Sequence, residues 1–481
     1  MKASFNVLDK GWIPVLTSLG KTEELGIRQV LSQAHELKEI TVASPMEEYS
    51  IYRFLSVFLM DALRPETEID IEDLLEDGRF NMDLIEKYIT QCQAEGVSFD
   101  LFDGARPFLQ SPYDSAIDKD VKPVSVMDFT IPSGNNHTHF DHRKPEELQL
   151  KPEQAARLLI AAQLFCTAGA QGYPSGVNAS PPFYGMVKGA CLFDTLVYTL
   201  LPIETIGMSF DDPSVLWRSR EGVQPKAEIA RTSWLRGMLF PARRICLVHQ
   251  EDSEMIDGVY FCQGENFVNK ETWRDPFVTY RTTANGIVPL RPAGYRPIWH
   301  NFNDVIDVPG NHASQLLRQY LSISESETVS IMLYGVETNK ASYLSVSRYD
   351  LFFPAKLATD PDDVELLTLG ISASENLGTS LRKSLSEVIS LSGTATGMAV
   401  QQFYKTCEAR FWQLCDALVK EESGRRELYS AWCADISQYA IDVFVQTMSS
   451  LRLRATALAD AAQAQDKLLL TIKKLKKEAS Q

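Results

Sequence analysis

The sequence predicts an α+β protein: a large mixed α/β domain over residues 1–362, then a four-helix bundle over 363–481. Three observations carry this expectation. The chain has 481 residues, which at roughly 100–200 residues per domain allows two or three domains and a large core. Short strand-like runs alternate with turns over residues 210–360. After Pro361, four long amphipathic patterns follow one another with short joints, and such helices bury their apolar faces by packing as a bundle.

The elements follow in order. Residues 12–16 predict a short strand, 18–21 a turn and 24–27 a second strand, with a helix to about residue 35. Ser44 caps the next helix, Pro45 takes its first position, and Glu47 completes a capping box. Its apolar stripe is Ile51, Phe54, Leu55, Phe58, Leu59 and Ala62, at helical spacing. Residues 70–96 read as helical and acidic, and 100–145 as irregular. A helix from Pro152 to about Thr167 presents Leu158, Leu159, Ala162 and Phe165 on one face and runs into a glycine-bearing loop at 168–176. The run Val329-Ser330-Ile331-Met332-Leu333-Tyr334-Gly335 is strand-like, although periodicity alone does not separate strand from helix there. The bundle helices are expected at about 363–392, 398–420, 426–450 and 452–478. The second carries the stripe Val400, Phe403, Cys407, Phe411, Leu414 and Leu418. The third carries Trp432, Ile436, Tyr439, Val443 and Phe444.

Composition excludes disordered, collagen-like and coiled-coil classes, with 44% hydrophobic, 10% aromatic and 23% charged residues. No signal-peptide core and no apolar run of transmembrane length occurs. The eight cysteines form no C-x-x-C pair, so a reduced, cytoplasmic protein without structural zinc is expected. The net charge of −16 argues against a simple polyanion binder. It is unevenly spread, however. Residues 366–481 hold 14 basic and 12 acidic residues, and the preceding 365 hold 33 and 51, a net of −18. Residues 218–244 carry seven basic and two acidic residues, and Arg281, Arg291 and Arg296 lie in a stretch without acids. The last helix ends Lys473-Lys474-Leu475-Lys476-Lys477. Such clusters either neutralise phosphates or form a solvated face.

One string suggests metal chemistry. His137-Thr138-His139-Phe140-Asp141-His142 has the H-x-H-x-D-H spacing of metallo-β-lactamase-type hydrolases, in which imidazoles and a carboxylate hold Zn²⁺ that activates water. A metal-dependent hydrolase is therefore the alternative function. Its context is a loop, Pro132-Ser133-Gly134-Asn135-Asn136, where the hydrolase motif follows a buried strand.

Several segments together resemble the large subunit (CasA) of the type I-E CRISPR Cascade surveillance complex. Asn6-Val7-Leu8-Asp9-Lys10-Gly11-Trp12-Ile13-Pro14-Val15 resembles the family's opening, and Ser133 through His142 its first functional loop. The helix from Pro152 and the loop after it, Trp234-Leu235-Arg236-Gly237, Pro241-Ala242-Arg243-Arg244 and Trp273-Arg274-Asp275-Pro276 follow in family order. Gly335-Val336-Glu337-Thr338-Asn339-Lys340-Ala341-Ser342 resembles the segment that bears the family's DNA wedge.

The resemblance implies a non-enzymatic, cofactor-free DNA-recognition subunit. Its partners would be the crRNA-bearing Cascade subunits, double-stranded target DNA and the CRISPR helicase-nuclease, with no membrane role. In such complexes guide-RNA pairing reads the target, and protein reads only the short flanking PAM. The resemblance places Lys340 at the wedge tip between Asn339 and Ala341, where relatives carry Gln. It places Ala168, Gly169, Ala170, Gln171 and Gly172 as a glycine loop against the PAM minor groove, with Lys270 nearby. Phe140, Asp141 and His142 would meet the guide-RNA 5′ handle and the neighbouring subunit. Composition, not the resemblance, adds that Arg452, Arg454, Lys473 and Lys474 on the bundle could guide the displaced strand. Without the resemblance, residues 338–340 suit a polar turn and Gly169 a helix C-cap.

Overall fold

The computed structural model describes residues 3–131, 147–167, 172–219, 222–250, 253–284, 286–292, 297–306, 311–339, 342–388, 393–420, 424–451 and 455–480. The N-terminal sheet pairs Ile13–Thr17 with Thr22–Leu25 on one side and Leu37–Ile40 on the other, all antiparallel. The last of these strands was not expected from the sequence. The acidic stretch forms two helices, Glu68–Asp77 and Met82–Ala94, because Gly78 takes a left-handed φ of 65° that ends the first.

The helix Pro45–Leu63 is the axis of the α/β part. Ser44 caps it through the Glu47 N–H, as expected, but the Glu47 carboxylate is drawn away to the Arg157 guanidinium at 2.6 Å. The sequence stripe implies one apolar face, whereas the helix is buried almost all round. Its polar side chains therefore need internal partners. Ser50 donates to the Met46 carbonyl and Ser56 to that of Thr199. Arg53 pairs with Asp275, Asp61 accepts from Arg218 and Tyr88, and Glu48 accepts from Tyr334 and Arg348.

A long antiparallel hairpin, Thr328–Asn339 and Ser342–Pro354, is joined on its first strand by Tyr184–Val187. Alternate residues of the middle strand enter different cores. Met332, Tyr334 and Val336 join the core around the axial helix. Val329, Ile331 and Leu333 join a second core with Leu351, Phe353 and the bundle. A strand buried on both faces reads as a near-continuous apolar run, which is why 329–335 lacks a clean period.

The bundle helices are Pro361–Val388, Gly393–Lys420, Arg425–Ser450 and Ala455–Ala479, within a few residues of expectation. Both expected stripes are buried, with Tyr439 half-buried. The bundle core is shared with residues before position 362. Trp299 donates to the Tyr404 carbonyl at 3.2 Å and packs on Phe411 and Trp432, and Phe302 packs on Phe411 and Trp412. No helix among the described residues is long and apolar enough to cross a membrane.

Candidate nucleic-acid interface

The hairpin ends at the expected wedge segment. Asn339 pairs with Ser342 at the end of the ladder. Asn339 is exposed; Lys340 and Ala341 lie outside the described residues. Near the tip the register shifts between Glu337 and Thr338, leaving Leu344 as an extra, exposed residue.

The hairpin is rooted by a polar network at its middle. Tyr334 and Arg348 face each other across the ladder. Both donate to Glu48, at 2.6 and 2.5 Å, and Arg348 also reaches Glu39 at 3.1 Å and Asp350 at 3.0 Å. Lys188 adds a 2.7 Å bond to Glu39. Burial raises the Glu48 carboxyl above the usual carboxylate range, against its hydrogen bond with Tyr334 and the charge of Arg348. Burial acts on Glu39 too, but hydrogen bonds from Lys188 and Arg348 outweigh it and hold that carboxyl below the usual range. A depressed carboxyl contributes stability above its unfolded pKa, and this is lost as pH falls through the folded pKa. Glu39→Gln is therefore expected to flatten the loss of stability between about pH 5 and pH 3, measured as urea midpoints across that window. An unchanged pH profile would count against the network.

Tyr343, three residues past the tip, gathers the flanks of all three expected contact segments. Its ring stacks on Phe129 at 4.9 Å and 6° between planes, and its hydroxyl donates to the Phe165 carbonyl at 2.8 Å. Phe129 precedes the segment with Phe140, Asp141 and His142, and Phe165 precedes the glycine loop. Residues 132–146, including His137, His139, Phe140, Asp141 and His142, lie outside the described residues, as do Ala168, Gly169, Ala170 and Gln171. Tyr343 was missed because one aromatic among serines carries no pattern.

Arg243, almost fully buried, ties together the described flanks of the glycine-loop segment. Its guanidinium donates to the carbonyls of Thr167 and Pro174, at 3.4 and 2.8 Å, bracketing the loop on both sides. Its backbone exchanges two 2.8 Å hydrogen bonds with the Gln163 side chain. Tyr173 lies 5.4 Å from the Arg243 guanidinium and 5.3 Å from Lys122, a cation on a π face in each case. Gly172 takes φ +77° with nothing within 4 Å of a built Cβ, so conformation, not space, favours glycine there. At the loop exit, Lys270 donates to the Ser175 hydroxyl at 3.1 Å and the Gly176 carbonyl at 2.7 Å. The structure thus brings Lys270 to the residues that follow Gly172, while Ala168 to Gln171 lie outside the described residues.

The basic cluster 218–244 behaves differently from both expectations. Arg236 and Arg244 are buried in ion pairs with Glu265 and Asp118, and Arg243 is buried against carbonyls. Arg218, largely buried, pairs with Asp61 and Glu95. These four arginines tie the core together and are closed to phosphates; Lys226 and Arg231 are exposed. The signal was available in part, since Arg243 and Arg244 head the apolar run Ile245-Cys246-Leu247-Val248, a strand with a buried face. On the last helix, Lys473, Lys474, Lys476 and Lys477 are exposed, whereas Arg452 and Arg454 lie outside the described residues. Among the described residues, no group of three or more His, Cys, Asp or Glu side chains could hold a metal ion. The eight cysteines are free, and burial pushes the thiols of Cys92 and Cys246 up to about 11.

The whole architecture recurs in solved CRISPR-associated proteins. The Cse1 protein of Acidimicrobium ferrooxidans superposes with a TM-score of 0.78 at 18% identity, covering 100% of both chains. A chain of a CRISPR RNA-guided surveillance complex gives 0.80 at 20% identity, covering 97% of this chain and 99% of that one. These likenesses define the class of fold, that of the CRISPR-associated large proteins. The CRISPR-associated protein CasA/Cse1 of Thermus thermophilus is 29% identical over 406 residues, which span 80% of this chain and 78% of that protein. The model of the family described as CRISPR-associated protein Cse1 matches residues 6–443, and the chain belongs to that family.

Proposed function

We propose that the protein is the DNA-recognition subunit of a type I-E CRISPR surveillance complex and acts by binding, without catalytic turnover. It docks on the crRNA-bearing subunits through the segment holding Phe140, Asp141 and His142. It reads the PAM of double-stranded DNA with the glycine loop, Ala168 to Gly172, and Lys270. It starts strand separation with Asn339, Lys340 and Ala341, and it helps recruit the helicase-nuclease. Residues 1–362 serve recognition and docking, and 363–481 form the bundle that backs them.

Tyr343 carries this reading. A single side chain fastens the wedge hairpin to the residues leading into the RNA-facing segment and into the glycine loop. Events at the guide-RNA end and at the duplex would meet there. A wedge that unstacks one base step costs about a few kcal/mol, so its support must be firm. The polar network under Arg348 and Tyr334 supplies that support.

The test reconstitutes the protein with its guide-RNA complex and compares duplexes that differ only in the flanking bases. Affinity should depend on the flank. In the same assay Lys340→Ala should weaken binding of the flank-matched duplex on the order of tenfold, about 1.4 kcal/mol, with guide-RNA loading intact. Affinity indifferent to the flank would end the PAM assignment, and an undiminished Lys340→Ala complex would end the wedge assignment. If the purified protein instead holds stoichiometric zinc lost on His139→Ala, the hydrolase alternative displaces both.

A further inference from the structure

Beside the exit of the glycine loop lies an open cleft of about 530 Å³, between residues 177–179 and the stretch from Lys270 to Arg291. Three cations line it, Lys270, Arg274 and Arg291, against one carboxylate, Glu271. Among the described residues none of the three is in an ion pair. Lys270 spends two donors on the Ser175 hydroxyl and the Gly176 carbonyl, and one remains. Arg274 lies over the Tyr280 ring at 5.8 Å. Arg291 makes a single 3.5 Å contact to the Asn178 carbonyl. This sets them apart from Arg218, Arg236 and Arg244, whose charges are cancelled by carboxylates.

The cleft also has a defined position. Arg291 adjoins Pro292, whose ring would lie 2.7 Å from a Cβ built at Gly335 of the hairpin. One wall therefore belongs to the glycine-loop exit, and the other abuts the wedge hairpin. Burial holds Lys270 below its ordinary range, against an opposing effect of Cys166 and with a smaller contribution from the charge of Arg291. Burial does the same to Arg291, against Tyr184 and Tyr280 and with a smaller contribution from Arg281. An anion would relieve both, and two guanidinium forks with an ammonium suit the oxygens of a phosphodiester.

We propose that this cleft seats backbone phosphates of the target duplex beside its flanking motif, with Arg274 and Arg291 on the phosphate oxygens and Lys270 bridging them to the glycine loop. The inference rests on the double-stranded DNA reading above. It makes the cleft a sequence-independent grip next to a sequence-reading loop. Phosphate contacts fix register and orientation, and base-edge contacts specify.

The experiment measures duplex binding by the reconstituted complex at several KCl concentrations for the parent, Arg274→Gln, Arg291→Gln and the double variant. Each single variant should make the plot of log affinity against log salt shallower by about one, and the double variant by about two. The loss should be uniform across flanking sequences, with guide-RNA loading unchanged. Glu271→Gln, which removes the carboxylate lining the cleft, should raise affinity. An unchanged salt slope overturns the proposal. So does a loss confined to one flanking sequence, which would mean base reading, or a loss of guide-RNA loading, which would mean RNA phosphates. If the parent complex ignores the flank, PAM reading fails while the slopes still decide the cleft. Both arginines are exposed, and unchanged thermal unfolding of the variants verifies that the fold is intact.

Discussion

Asp275→Ala is expected to destabilise the protein by about 3–5 kcal/mol, because it strands a buried guanidinium. The Arg53 and Asp275 side chains both have zero exposure and meet through two parallel bonds of 2.8 and 2.7 Å. Arg53 also donates to the Met238 carbonyl and lies over the Phe277 ring. The carboxylate has further work, accepting from the Asn178 side chain at 2.8 Å and the Phe277 N–H at 3.1 Å. Removing it leaves one full charge in the core and deprives Asn178, which follows the glycine-loop exit by two residues, of its shorter side-chain hydrogen bond. Replacing both partners, as in Arg53→Met with Asp275→Leu, should recover most of the loss, since an apolar pair needs no charge compensation. Urea unfolding of the two variants decides this. A single variant within about 1 kcal/mol of the parent would show that the pair is not what holds the axial helix.

Trp432→Ala should cost a comparable amount, about 3–5 kcal/mol, by the loss of buried area and the cavity left behind. Trp432 is fully buried, donates to the Gly370 carbonyl at 2.8 Å, and packs on Trp299 and Phe411. Trp299 belongs to the chain before the bundle, so the cavity opens in a core common to both parts. The expected signature is one cooperative transition at lower denaturant, with bundle helicity and aromatic signals lost together. Two separated transitions would show that the bundle folds independently of the hairpin sheet.

The bundle was legible in the sequence because its signals are local. The stripe from Val400 to Leu418 and the run containing Trp432, Ile436 and Val443 fix faces within each helix, and these faces are buried. The fate of the arginines was not legible. Arg53 and Asp275 are separated by 222 positions, Arg244 and Asp118 by 126, and no periodicity links such partners. The family resemblance implies the site segments, but the fastening of their flanks depends on long-range contacts. Tyr343 and Phe165 lie 178 residues apart, and Arg243 and Thr167 lie 76 apart. Charge counting misled for the same reason. Seven basic residues in 218–244 look like a patch, whereas the cations left open in the cleft, Lys270, Arg274 and Arg291, are fewer and are brought together by the fold.

The strand that enters both cores has a mechanical consequence. The hairpin's first strand is held in both cores as far as Leu333 and in one as far as Val336, and beyond it the ladder continues for only three more residues to Asn339. At ~3.3 Å per residue the overhang is about 10 Å. A beam fixed at one end yields in proportion to the cube of its free length, so a short overhang is a stiff one. Tyr343 braces it part way along. In the wedge role proposed above, load applied at the tip would pass to the base of the beam and into the bundle, and the base stack would deform before the hairpin does.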